Sequence, residues 1–192
     1  LHAIELRPCG IHYGNHAKTG NLKASVATSM EQKTEIKRIL TSLQAASPSG
    51  FAIAFHIRFT TPDFLFQTYP KAWIDRYSEQ GMVMKDPIVR WGFGQTGAIR
   101  WSKLEQDDEF GVIAQSRDFD MNYGIASAIE DGGSRSVAGF ARSDREFTDA
   151  EIATLGESLA ELHALTANKD GMSDALRDYL QEMSVKFTHP SA

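Results

Sequence analysis

Five residues between positions 69 and 101 carry side chains suited to holding a small molecule: Tyr69, Trp73, Tyr77, Asp86 and Trp101. Tyr69, Trp73 and Tyr77 recur every four residues, the step that stacks side chains along one side of a helix, and Pro70 suits a helix's first turn. Each of the three joins a flat apolar surface to one polar atom at its edge. Asp86 precedes Pro87, a pair that starts a short helix with the carboxylate as its cap, and a short loop can return it over the same side. The group offers donors and one charged acceptor in apolar surroundings, which suits a ligand with carbonyls, one N–H and an apolar tail. Taken singly, the same residues have plainer readings. Trp73 and Tyr77 alone are core aromatics, and Asp86 alone is a helix cap. The joint spacing favours the pocket.

The elements that must position these residues follow from periodicity. Residues 51–59 alternate strictly: Phe51, Ile53, Phe55, Ile57 and Phe59 point one way, and Ala52, Ala54, His56 and Arg58 the other. Thr60-Thr61-Pro62-Asp63 is a turn, with a partner strand at 64–68. A helix over 30–46 begins at Ser29, in capping-box spacing with Gln32, and buries Ile36, Ile39, Leu40 and Leu43. Residues 98–101 are extended, and 107–123 form a helix capped by Asp107 or Asp108 with Phe110 among its apolar positions. Two apolar runs, 124–130 and 136–142, flank Asp131-Gly132-Gly133 as a hairpin. Thr148 and Glu151 cap a long helix with Phe147 and Ile152 as its staple and a stripe of Leu155, Leu159 and Leu162. A final amphipathic helix spans 173–186. The order predicts an α/β (α+β) fold, a three-layer α-β-α sandwich around a mainly antiparallel sheet of about five strands.

Composition sets the outer bounds. A chain of 192 residues holds one domain with a real core. Net charge is −5 and no basic run occurs, which excludes a nucleic-acid surface on this chain. The single cysteine, Cys9, permits no internal disulfide and points to a reducing, cytoplasmic setting. No apolar stretch reaches the length of a membrane span. Residues 1–29 lack a sustained period and are expected to be a disordered leader, with the binding domain over 30–168 and an extra helix and tail over 169–192.

The Tyr, Trp, Tyr, Asp-Pro and Trp at steps of four, four, nine and fifteen resemble the autoinducer-binding domain of LuxR-type acyl-homoserine-lactone receptors, over residues 30 to about 166. The resemblance implies a quorum-sensing receptor that binds an N-acyl-homoserine lactone and needs no cofactor. It implies that Trp73 donates to the lactone carbonyl, Asp86 accepts from the amide N–H and Tyr69 bonds the acyl carbonyl, while Tyr77 and Trp101 wall the head group. Ala52 and Ala54, by their small volume, leave room for the acyl chain. Family regulators continue into a helix-turn-helix DNA-binding domain, for which residues 169–192 offer no counterpart. The implied partners are the autoinducer and a second LuxR-type chain, as homodimer or heterodimer. A second reading is a single-domain protein that modulates full-length regulators by pairing, through the helices at 148–166 and 173–186. Two departures stand out: Ala128 replaces a family glycine, and Val137-Ala138-Gly139-Phe140-Ala141 carries no hydroxyl where the family often has one.

Other chemistry has thinner support. His12 and His16 are four apart but lack Cys or Asp partners for a metal. Cys9 has no basic neighbour to activate it. A lactone hydrolase would have to rely on Asp86 and His56. His163 has no partner that spacing identifies, and the acidic run at 105–109 reads as a solvated helix start.

Overall fold

The computed structural model describes residues 17–167 and 174–188, and the side chains of 30–167 and 174–182. Five antiparallel strands form one sheet in the order β2-β1-β5-β4-β3: β1 Gly50–Phe55, β2 Phe64–Gln67, β3 Gly97–Arg100, β4 Tyr123–Asp131 and β5 Ser134–Arg142. The expected sandwich is therefore present, with helices on both faces. The β4–β5 hairpin turns on Gly132 and Gly133, both at positive φ (56° and 75°), as a two-residue loop between twisted strands requires.

Strand register sorts the side chains into two faces. Phe51, Ile53 and Phe55 of β1 share a face with Phe66 and Phe140, and bury against α1 (Ala17–Ala46), α5 (Asp149–Thr166) and α6 (Asp174–Thr188). This is the main core, with Ile36, Ile39, Leu40 and Leu43 from α1 and Leu155, Leu159 and Leu162 from α5. Leu176 and Leu180 of α6 end in the same core. The opposite face carries Ala52, Ala54, Val137, Gly139 and Ala126, small for the most part, and lies under α2 (Lys71–Glu79), α3 (Pro87–Gly94) and α4 (Val112–Ser116).

The capping box at Thr148 forms as the spacing predicts, with the Thr148 Oγ1 accepting from the Glu151 N–H and the Glu151 carboxylate accepting from the Thr148 N–H. Four expectations need correction. The first helix starts at Ala17, not at Ser29. No proline lies between Pro8 and Pro48 to stop it, and a helix interior has no use for a cap at Ser29. Residues 17–29, read as leader, are thus helical; residues 1–16, with Cys9, His12 and His16, lie outside the described residues. The first strand ends at Phe55 because His56 takes a left-handed backbone (φ 51°) and turns the chain out of the sheet. Phe59, expected on the core face, is consequently almost fully exposed. The helix expected over 107–123 is short and interrupted: positive φ at Gly111 (67°) and Asp120 (61°) confines the α-helix to Val112–Ser116. Phe110 stays outside the core, beneath the Lys85 ammonium at 5.3 Å.

Candidate ligand-binding site

A cavity of about 680 Å³ lies between the small-residue face of the sheet and the layer of α2, α3 and α4. Its size is within the range of sites for small organic ligands. All seven residues singled out in the sequence line it: Ala52, Ala54, Tyr69, Trp73, Tyr77, Asp86 and Trp101. Ala52 and Ala54 present only methyl groups from β1, and that lack of volume is what leaves the space open.

Helix α2 starts at Lys71 with Pro70 as its N-cap, so Tyr69 sits just ahead of the helix while Trp73 and Tyr77 share its inner side. The Trp73 ring packs against Tyr77 (5.7 Å between centroids) and Phe119 (5.5 Å). Asp86 caps α3, its Oδ1 accepting from the Ile88 N–H at 2.7 Å. Its Oδ2 accepts from the Tyr77 hydroxyl at 2.9 Å. The cap reading and the pocket reading of Asp86 are therefore both correct, because one carboxylate has lone pairs for both.

Burial dominates the electrostatics. Loss of water pushes the Asp86 carboxyl up to about 6, against the opposing pull of its bonds from Ile88, Tyr77 and Val89. The hydroxyls of Tyr69 and Tyr77 are pushed far above the usual phenol range, first by burial and then by the charge on Asp86. Both stay neutral donors at any physiological pH. Asp86 is thus a desolvated acceptor, held by donors from Ile88, Tyr77 and Val89, and its two oxygens have lone pairs for one more.

Three glycines permit this arrangement. A Cβ on Gly139 would stand 2.8 Å from the Tyr69 hydroxyl, and one on Gly124 would stand 2.2 Å from the Trp101 ring. A Cβ on Gly92 would press on Val137 at 2.4 Å, where α3 crosses β5. Trp101 is packed flat on the sheet by this means, with its indole N–H buried and without a hydrogen-bond partner among the described residues. The sequence reading missed Leu65, Gln67, Ile88, Ile113 and Gly139 as lining residues. Gly139, a glycine inside a strand, carried the one available signal, since such positions mark close approach by a neighbour. The hydroxyl missing from the inner face of β5 is missing here too: Val137 and Gly139 face the cavity, and Ser136 faces the other way, onto His163. Ala128 is accommodated opposite Gly97 of β3.

His56 does not join the site. Its Nδ1 lies 2.7 Å from Ser134 Oγ and its Nε2 2.8 Å from Thr166 Oγ1, on the α5 side of the sheet. His163, without a partner in the sequence reading, shares a hydrogen bond with Ser136 Oγ (2.8 Å), and its ring lies 4.5 Å from that of His56. Burial lowers the His163 pKa, and this polar cluster ties the β4–β5 hairpin to α5. The pairing of His56 with Asp86 that a hydrolase would need is absent. Among the described residues no group of His, Cys, Asp and Glu is arranged to hold a metal ion, and no helix is long and apolar enough to cross a membrane.

The family model of the autoinducer binding domain matches residues 25–167. The chain belongs to that family. It is an autoinducer-binding domain, of a receptor family and not an enzyme family. It is 33% identical over 106 residues to the transcriptional activator protein SolR of Ralstonia nicotianae, a match covering 53% of this chain and 45% of that protein. The SolR of Ralstonia solanacearum is 32% identical over 92 residues, covering 47% of this chain and 39% of its own. These matches thus span less than half the length of either curated relative. In fold the chain is similar to the N-acylhomoserine lactone dependent LuxR family transcription factor CepR2 of Burkholderia cenocepacia (TM-score 0.54, 17% identity, 76% of this chain and 94% of that one). It is likewise similar to residues 1–171 of Escherichia coli SdiA (TM-score 0.55, 15% identity, 80% and 99%).

Proposed function

We propose that this domain binds an N-acyl-homoserine lactone, with the amide N–H donated to Asp86. The observation that carries the reading is Asp86 itself: a buried carboxylate at the wall of an apolar cavity, bonded by Tyr77, Ile88 and Val89 and with lone pairs for one further donor. An amide N–H supplies that donor; an ester or a free alkane does not. Tyr69 and Trp73 offer donors to the carbonyl groups of the acyl amide and of the lactone ring. Trp101 and Tyr77 wall the head group, and Ala52 and Ala54 give the chain its space. SdiA has also been solved with octanoyl-rac-glycerol, again a small polar head on an acyl tail. The ligand class proposed here is that amphiphile with an amide in place of the ester. The receptor pairs with a second copy or with another LuxR-type chain.

The test is thermal melting of the purified domain with a panel of N-acyl-homoserine lactones, with the corresponding acylglycerols as the amide-free comparison. Stabilisation by lactones that exceeds that by acylglycerols supports the reading. A folded protein that no lactone stabilises rejects it.

A further inference from the structure

We propose that the outer end of the cavity takes the far end of a long acyl chain, and that Phe59 sets the preferred chain length. The proposal rests on the lactone reading above and adds to it which lactones are selected.

The cavity's lining includes both buried and exposed side chains. Trp73 and Asp86 are 4% and 7% exposed, whereas Phe59 is 99% exposed and Met84 81%. Val83 and Phe93, also partly in solvent, line the same cavity. Large apolar side chains scattered singly on a surface need no explanation, but four exposed ones lining one cavity do. Their continuity with the cavity names what covers them. A chain anchored by its amide at Asp86 and lying along the alanine face has these side chains at its far end.

Phe59 is the most telling of the four. It sits at the tip of the loop between β1 and β2, closed by Arg58 N–H to Thr61 C=O (2.9 Å) and Thr61 N–H to Arg58 C=O (3.0 Å). Its φ is +58°, a conformation that suits Asn or Gly and is costly for a bulky residue. The phenyl ring is thus unburied and its backbone strained. Apolar burial against a methylene chain emerging beneath the ring would offset both costs, and strained positions cluster at sites that act in binding.

The experiment is a calorimetric titration of the domain with unsubstituted lactones from butanoyl to dodecanoyl, on the wild type and on Phe59→Asn. In the wild type, affinity should rise about threefold to fourfold per methylene up to the longest chains. Phe59→Asn removes the ring and relieves the backbone. It should melt at or above the wild-type temperature without ligand, bind the dodecanoyl lactone about tenfold more weakly, and bind the hexanoyl lactone unchanged. Equal affinity for short and long chains, or equal weakening of both by Phe59→Asn, overturns the proposal and leaves the receptor reading standing. A change in sedimentation of Phe59→Asn with an unaltered chain-length series also overturns it, by showing that the rim meets a protein. Failure of every lactone to bind overturns both.

Discussion

Asp86 is the residue on which the site's energetics turn. Its folded pKa of about 6 lies above the ordinary carboxylate value of 3.8, because burial penalises the charge. A raised folded pKa means that the group contributes stability at pH below about 4, and that this contribution is lost as pH rises through 6. The loss is on the order of 3 kcal/mol. Asp86→Asn keeps a competent helix cap and carries no charge. It should therefore unfold at higher urea concentration than the wild type at pH 8, with the difference vanishing near pH 4. Ligand binding has the opposite dependence. A donated amide N–H favours the ionised carboxylate, so wild-type affinity should rise from pH 5 to 7 and then level off. Asp86→Asn should bind about tenfold to a hundredfold more weakly, with no such rise, as loss of a charge-assisted bond of ~1.5–3 kcal/mol predicts. Titrations across this range check both. At this scale the site was largely legible: spaced aromatics and one carboxylate have few joint uses, and all seven residues meet at one cavity. His56 and Phe59 were not legible. Their residue types continue the alternation of β1, and nothing in a Phe-His-Ile-Arg-Phe run announces two left-handed backbones.

At the scale of elements, the helices most readable in the sequence are those with chemical end signals. Thr148→Ala removes the side-chain half of a formed capping box and should cost ~1 kcal/mol in urea unfolding. Gly156 lies within the same helix with open space where a Cβ would stand, so Gly156→Ala should stabilise by ~0.5–1 kcal/mol. Gly139→Ala is the contrasting case. Its Cβ would stand 2.8 Å from the Tyr69 hydroxyl, so the variant should lose ~1–3 kcal/mol and weaken ligand binding together. The elements misread were those whose limits depend on backbone conformation or on the absence of a signal. The segment over 107–123 has the apolar content of a helix, but Gly111 and Asp120 in the left-handed region divide it, and Asp108 caps the fragment through Val112 and Ala114. The long α1 extends N-terminal of Ser29 because nothing there stops it.

For the whole molecule, the sheet divides labour between its faces. Phenylalanines and isoleucines on one side are paid out to a dense core under α1, α5 and α6, while alanines and glycines on the other leave a volume to be filled. A ligand that fills it adds apolar burial that the free domain lacks, and mass action converts that into stability. At a hundredfold excess over Kd the gain is about 2.7 kcal/mol. For a domain of this size that raises Tm by about 5–10 °C, measurable by differential scanning calorimetry. The most direct measurement is a crystal structure of the domain with N-dodecanoyl-homoserine lactone. The amide nitrogen should lie about 3 Å from an Asp86 carboxylate oxygen, with the chain along Ala52 and Ala54. A lactone bound outside this cavity, or inside it with its amide turned away from Asp86, would contradict the account.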